Sequence, residues 1–415
     1  MSATLKERLR KAWYIHRRRQ KVNAPRANRL IVRKARWLND ARSPVVLMID
    51  DLTNAWVGGG SPNPWDQGGD WGGARRDPGG ALAFLEKHLL ADFPEARATF
   101  FVVAGEISRY THHQPFGFAA PLDATAESRA FFTELEADPR YELAYHGFNH
   151  GSPGEVTEKF LQEWRGFPSR DAANEQGRRG LDIFMRATGN RPRGGKYGGW
   201  DYNEFAGDAV DDLGFLWWCR DWMPRDTTGS VDDDYYEPQY FGAQRVMALP
   251  TTVHGYFWDR RQIDLLLERS QIISIEEHIA GKRPDGLVQT PNIVDDIHEL
   301  RKIYAYLRGK SVWHANCTDI AAYASARDLS LLSDVTNDGF TLHYSGRFTR
   351  PSLTLHVDAA SICSAAAPHI EVMAPDGRRL ASADWQFDLA RHLHRITVPV
   401  ENGRYTVRAS AAGRS

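Results

Sequence analysis

Residues 44–51, Pro-Val-Val-Leu-Met-Ile-Asp-Asp, decide the reading of the fold. Val45 to Ile49 form an unbroken apolar run, which fits a strand buried on both faces of a parallel sheet. The run ends on Asp50 and Asp51, so the strand's C-terminal end presents two carboxylates. The segment that follows, Asn54 to Gly80, is rich in Gly, Trp, Pro and Asp and reads as a long loop. Loops of that length inside compact domains are commonly functional.

Further along, ALAFLEKHLL (81–90) has helical periodicity and ATFFVVAG (98–105) reads as a second buried strand. Residues 126–137 are expected to be helical, and YELAYHG (141–147) is a third strand, ending at a histidine. Helices are expected over 155–165 and 176–188. Strands are expected at FLWWCRDW (215–222), RVMALP (245–250) and QIISIEE (271–277). DDIHELRKIYAYLRG (295–309) is an amphipathic helix stopping on Gly309, followed by a last strand in SVWHANC (311–317). Strands alternating with helices across 44–325 imply a parallel-sheet α/β architecture, open or barrel-like. After about residue 328 the pattern becomes period-two, in FTLHYSG, SLTLHVDA, HIEVMAP, HRITVPV and GRYTVRAS, with turns at Asp376-Gly377 and Asn402-Gly403. That predicts a small C-terminal all-β sandwich. The expected domains are a basic N-terminal arm (1–40), a catalytic domain (41–328) and the β-sandwich (329–415).

The formal net charge is −1, so bulk charge does not mark a nucleic-acid binder. Cys219, Cys317 and Cys363 lack metal-ligand spacing and read as free thiols of a reducing compartment. The N-terminus has no apolar core of signal-peptide length and no run matches a membrane span, so a cytoplasmic protein is expected. The first 36 residues hold thirteen Lys and Arg against one acidic residue, Glu7. That arm is either simply solvated or a peripheral contact with anionic lipid at the inner membrane face, aided by Trp13, Tyr14 and Trp37. The chain also has thirteen Trp, several in Gly-rich or polar contexts. Stacking on sugar rings and plain packing both account for them.

Two features carry chemistry. Adjacent carboxylates such as Asp50 and Asp51 can divide labour, one binding a metal and the other accepting a proton. In His146-Gly-Phe-Asn-His150, two imidazoles four apart can reach one ion. One Asp with two His makes a facial set that leaves positions open for water and substrate, and a divalent ion held there would polarise an acyl carbonyl.

With those residues in place the chain resembles the polysaccharide deacetylase (NodB-homology) family of carbohydrate esterases. The family's T/S-F-D-D motif corresponds to Met48-Ile49-Asp50-Asp51, and its ATFFV strand to Ala98–Val102. Its H-S/T-x-x-H motif corresponds to His146–His150. A third motif is matched loosely by Thr188–Trp200 and a fourth by Asp221-Trp222. The resemblance covers roughly residues 44–325. It implies a distorted (β/α) barrel of about seven strands and one divalent metal, zinc with cobalt or nickel as alternatives, held by Asp51, His146 and His150. It also implies Asp50 as general base and a fifth-motif histidine as the acid that protonates the leaving amine.

This sequence departs from the family pattern at several positions. Gly147 stands where the family has serine or threonine. Lys196 aligns with the arginine that pairs with the base aspartate, with Arg193 as rival; lysine keeps the charge but loses two-point hydrogen bonding. Topological order favours His278 as the acid over His314, while His254 could line the cleft. Substrate contacts are expected from Trp222, Asp221, Tyr197, Trp200 and Trp56, with Trp65 and Trp71 as further sugar platforms. The expected activity is removal of an acetyl group from an N-acetylated amino-sugar glycan or its precursor. The alternatives are an O-deacetylase of the same fold or a catalytically silent carbohydrate-binding protein.

Overall fold

The run ending on the two aspartates is strand β1, Ser43–Leu52, buried at every position. Its alternate side chains serve two layers. Val45, Leu47 and Ile49 join the apolar core that also holds Phe100, Val102, Leu143 and Tyr145. Met48 faces the other way, with its Sδ 3.7 Å from Cys219 Sγ. Each fully buried aliphatic side chain of this kind contributes roughly 1.5–3 kcal/mol.

The structure, a computed structural model, describes residues 30–55, 80–106, 119–152, 161–220, 236–255, 258–279, 291–358, 368–380, 385–388 and 393–411. They fall into two compact units, Ala41–Ser325, and Met1–Asp40 together with Ala326–Ser415. In the first unit β1 is followed by β2 (Ala98–Val103), β3 (Tyr141–Gly147), β4 (Gly194–Lys196), β5 (Trp217–Arg220), β6 (Gln239–Phe241), β7 (Val246–Pro250), β8 (Val253–His254), β9 (Ile273–His278) and β10 (Val312–His314). The sheet order is β6-β7-β5-β4-β3-β2-β1-β9-β8, with β10 pairing β1 as well. Every pairing is parallel except that of β6 with β7. Nine of these ten strands have a parallel partner, in line with the α/β reading. The helices between them are α1 (Ala81–Leu85), α2 (Ala126–Ala137), α3 (Arg170–Thr188), α4 (Glu204–Asp212), α5 (Arg260–Glu268) and α6 (Ile297–Leu307). α1 runs on as a wider π turn over Glu86–Leu90.

Helix α3 shows how sequence sets position. Ser169 caps its start, accepting from the Ala172 N–H, and Gly189 at φ 81° stops it. Midway, Gly180 sits so close to β3 that a Cβ would lie 1.9 Å from the Tyr145 hydroxyl. The glycine lets helix and strand approach closely. Part of the helix expected over 155–165 is replaced by a two-residue strand, Leu161–Gln162, and a 3-10 turn, Glu163–Arg165. Residues 153–160 lie outside the described residues.

The second unit holds two four-stranded antiparallel sheets. One contains Ser330–Ser333, Gly339–Tyr344, Gly403–Ala411 and Pro368–Met373; the other contains Ile31–Lys34, Ser352–Asp358, Leu393–Pro399 and Trp385–Asp388. The Tyr405 hydroxyl donates to the Pro399 carbonyl and accepts from the Glu401 N–H, a corner contact found in β-sandwiches. Ile31–Lys34, within the expected arm, pair antiparallel with Ser352–Asp358, and the second compact unit takes up the chain from Ala326. Residues 1–29 lie outside the described residues.

Candidate metal and acyl-transfer site

The site grows from an irregularity at the end of β1. Consecutive side chains on a regular strand point to opposite faces. Here the register with β2 shifts between Ile49 and Leu52, and Asp51 takes a left-handed backbone, φ 67°. That bulge turns both carboxylates into one buried space, where Asp50 is 3% and Asp51 1% exposed.

His146, near the end of β3, and His150, at φ 65° just after it, meet Asp51. Their Nε2 atoms lie 3.4 and 3.2 Å from the same Asp51 oxygen, Oδ1. His146 Nδ1 is 3.0 Å from the Lys196 carbonyl and donates to it, which aims Nε2 at Asp51. One oxygen and two imidazole nitrogens within 4.8 Å of one another form a donor set that fits a divalent metal ion. Burial pushes the Asp51 carboxyl up, but the two imidazoles outweigh it and hold it well below the usual carboxylate range. Burial lowers the His146 imidazole, and its bond to Asp51 and the Asp50 charge raise it to a net upward shift.

Asp50 is held separately. Lys196, at the end of β4 and fully buried, places Nζ 2.7 Å from Asp50 Oδ2 and 2.8 Å from Glu276 Oε1. The ammonium also lies 4.2 Å from the centre of the Trp200 ring, whose Nε1–H donates to the same Glu276 oxygen at 3.1 Å. Burial disfavours the ammonium, but Asp50 and Glu276 raise it above the usual lysine value. Burial pushes Glu276 up, and Lys196 and His254 more than offset this to hold it down. His254 Nε2 lies 3.4 Å from Glu276 Oε2.

His278 ends β9 directly beside Asp50 in the parallel register. Its Nδ1 donates to the Pro291 carbonyl at 2.7 Å, and its Nε2 points between the aspartates, 4.0 Å from Asp50 Oδ2 and 3.9 Å from Asp51 Oδ2. Asp50, Glu276 and His278 also have donor atoms within 4.8 Å of one another. Within that group the Lys196 ammonium pairs with both carboxylates, Asp50 and Glu276.

The structure thus brings Asp50, Asp51, His146, His150, Lys196, His278 and Trp200 together. Two rivals fall outside. Arg193 is exposed and lines a cavity with Glu136, Glu142 and Asp319. His314 pairs with Val45, five residues before Asp50, which puts it about 16 Å down the strand. Tyr197 points away from the ion set, stacked on Tyr202 at 4.6 Å and packed on Trp164 and Trp218. Asp221, Trp222, Trp56, Trp65, Trp71 and Cys363 lie outside the described residues; Cys219 and Cys317 are free and buried.

Sequence reasoning missed two carboxylates. Glu276 answers the charge of Lys196. Glu163, 6% exposed, accepts from the backbone N–H groups of Phe148, Asn149 and His150, each at 2.9 Å. The Gly147 departure is explained by the same residue: Gly147 has φ 132°, and a Cβ there would lie 2.5 Å from Glu163 Oε2. The absent side chain at 147 was the one sequence sign of a neighbour filling that space.

No protein-family model matches the sequence, and no curated protein matches it. Some solved structures resemble it at low identity. A probable polysaccharide deacetylase from Pseudomonas aeruginosa is 16% identical, covering 71% of this chain and 95% of its own, at TM-score 0.44. A protein assigned as a polysaccharide deacetylase in Mycobacterium smegmatis is 15% identical over 69% of this chain and 92% of its own, at TM-score 0.40. The 4-alpha-glucanotransferase of Thermococcus litoralis is 10% identical over 67% of this chain and 40% of its own, at TM-score 0.42.

Proposed function

We propose that the protein is a divalent-metal-dependent hydrolase that removes the acetyl group from an N-acetylated amino sugar in a glycan or glycan precursor. The observation that carries this reading is the division of the two aspartates: Asp51 faces two imidazole nitrogens, while Asp50 faces a buried lysine and a third histidine. A binding module needs neither arrangement.

Asp51, His146 and His150 would hold the ion, which supplies Lewis acidity toward an acyl carbonyl and a water. Asp50 takes the proton of the attacking water. Lys196 pairs with the Asp50 carboxylate and fixes its direction, and Glu276 keeps Lys196 there. His278 Nε2, oriented by Pro291, gives a proton to the departing nitrogen as the carbon–nitrogen bond breaks. Trp200, tethered to Glu276 with its ring on Lys196, closes this side of the base and offers an aromatic edge to a sugar. Zinc is the ion we favour, because the set is mixed nitrogen and oxygen and leaves positions open.

The test is acetate release across a panel of acetylated amino sugars and O-acetylated sugars, with purified protein stripped of metal and reloaded. Release from N-acetylated substrates only, restored by zinc, is expected. Release confined to O-acetyl esters would move the assignment to an esterase, and no release from either class would remove the enzyme reading.

A further inference from the structure

The loop that carries the two histidines has an uncommon backbone, with Gly147 at φ 132° and His150 at φ 65°. Such conformations persist where the surroundings over-determine them. Here the surroundings are one short segment. The Glu163 carboxylate accepts from three successive backbone N–H groups, Phe148 to Oε1 and Asn149 and His150 to Oε2, each at 2.9 Å. The Glu163 N–H donates to the His150 carbonyl at 3.0 Å, and Trp164 Nε1–H donates to the His146 carbonyl at 3.4 Å. Both ends of the His146–His150 span are therefore held from residues 163–164.

Successive N–H groups converging on one point form an anion-binding nest. In this chain the nest is filled by the protein's own carboxylate. That carboxylate is fixed from behind by Gln176 Nε2, which donates to Oε1 at 2.9 Å from helix α3. Arg179, one turn along the same helix, covers the Phe148 ring at 4.7 Å. The close approach of α3 to β3 at Gly180 brings Gln176 within reach.

We propose that Glu163 is the positioning residue of the metal limb. It fixes the backbone of residues 147–150 so that His146 Nε2 and His150 Nε2 face one oxygen of Asp51, and Gly147 is the residue that leaves room for it. The inference rests on the reading of Asp51, His146 and His150 as ligands.

Metal-free full-length protein is titrated with Zn(II) against a chromophoric chelator, and separately loaded with Co(II) for its visible spectrum. Glu163→Gln keeps the shape but turns an amide NH2 toward N–H donors. It is expected to weaken Zn(II) binding by about 10- to 100-fold and to alter the Co(II) bands, because the imidazoles lose their orientation. Gln176→Ala removes one bond to the carboxylate from outside the site and is expected to weaken binding about threefold. Unchanged affinity and an unchanged Co(II) spectrum in Glu163→Gln overturn the inference, even if that variant unfolds at a lower temperature, since a merely structural role predicts that combination. If Glu163→Gln does not fold, Gln176→Ala decides alone, with unchanged affinity counting against the proposal. If the unsubstituted protein takes up no ion, the ligand reading falls and this inference with it.

Discussion

Lys196 is the residue on which the base depends. It is completely buried, and its charge is shared by Asp50 and Glu276. Lys196→Met would leave two carboxylates facing each other without a cation, and breaking a buried pair in this way costs about 3–5 kcal/mol. Denaturant unfolding should show that loss, and adding Glu276→Gln should recover part of it; additive losses in the double variant would mean that the two side chains do not act together. Gly147→Ala is argued from backbone and space together, since φ 132° and the Glu163 oxygen both exclude a side chain. The backbone strain alone costs about 1–3 kcal/mol. A Gly147→Ala protein as stable as the parent would contradict the account. The adjacent Asp50 and Asp51 and the closely spaced His146 and His150 stand out in sequence because each set lies at or just past the end of an apolar strand. Glu163 and Glu276 do not, because each is a common residue type whose partners lie 13 and 80 positions away along the chain.

Strand β9 shows a carboxylate on each side of one element. Glu276 and His278 face the site, while the intervening Glu277 faces α6, where a Cβ on Gly255 would collide with its Oε1 beside Leu300. No hydrogen-bond partner reaches either Glu277 oxygen among the described residues. Burial, with Asp296 and Glu276 adding to it, pushes this carboxyl well above its usual range. The unfolded chain ionises it near pH ~4.3, while the folded state keeps it protonated above that. The unfolded state then binds fewer protons, so stability is fully present below that pH and is lost as pH rises toward the folded pKa. Glu277→Gln should therefore gain stability over the parent progressively as pH rises above the usual glutamate value of ~4.3. A stability difference that stays flat as pH rises would contradict the placement. Elements with strong apolar runs, β1, β2, β3 and β9, were legible. The turn that carries Glu163 was read as helix because its polar periodicity was followed without the tertiary bonds that override it.

At the scale of the molecule, the chain passes through the β unit twice. Ile31–Lys34 (Ile-Val-Arg-Lys) forms an edge strand whose side chains are alternately exposed and half-buried, and the charges of Arg33 and Lys34 hid it within the basic arm. Removing residues 1–34 strips that strand from its partner, Ser352–Asp358. The shortened chain should lose protease resistance in residues 326–415 while retaining the first unit's metal binding; full resistance of the β unit would show that the strand is dispensable. No helix among the described residues is long and apolar enough to cross a membrane.

The central claim is that adjacent aspartates do different work. It is tested most directly by measuring bound metal and acetate release together in Asp50→Asn. The account predicts one ion per chain, as in the unsubstituted protein, with turnover lowered by about 10²- to 10⁴-fold through loss of the base. Loss of the ion on that substitution, or near-normal turnover with the ion bound, would contradict it.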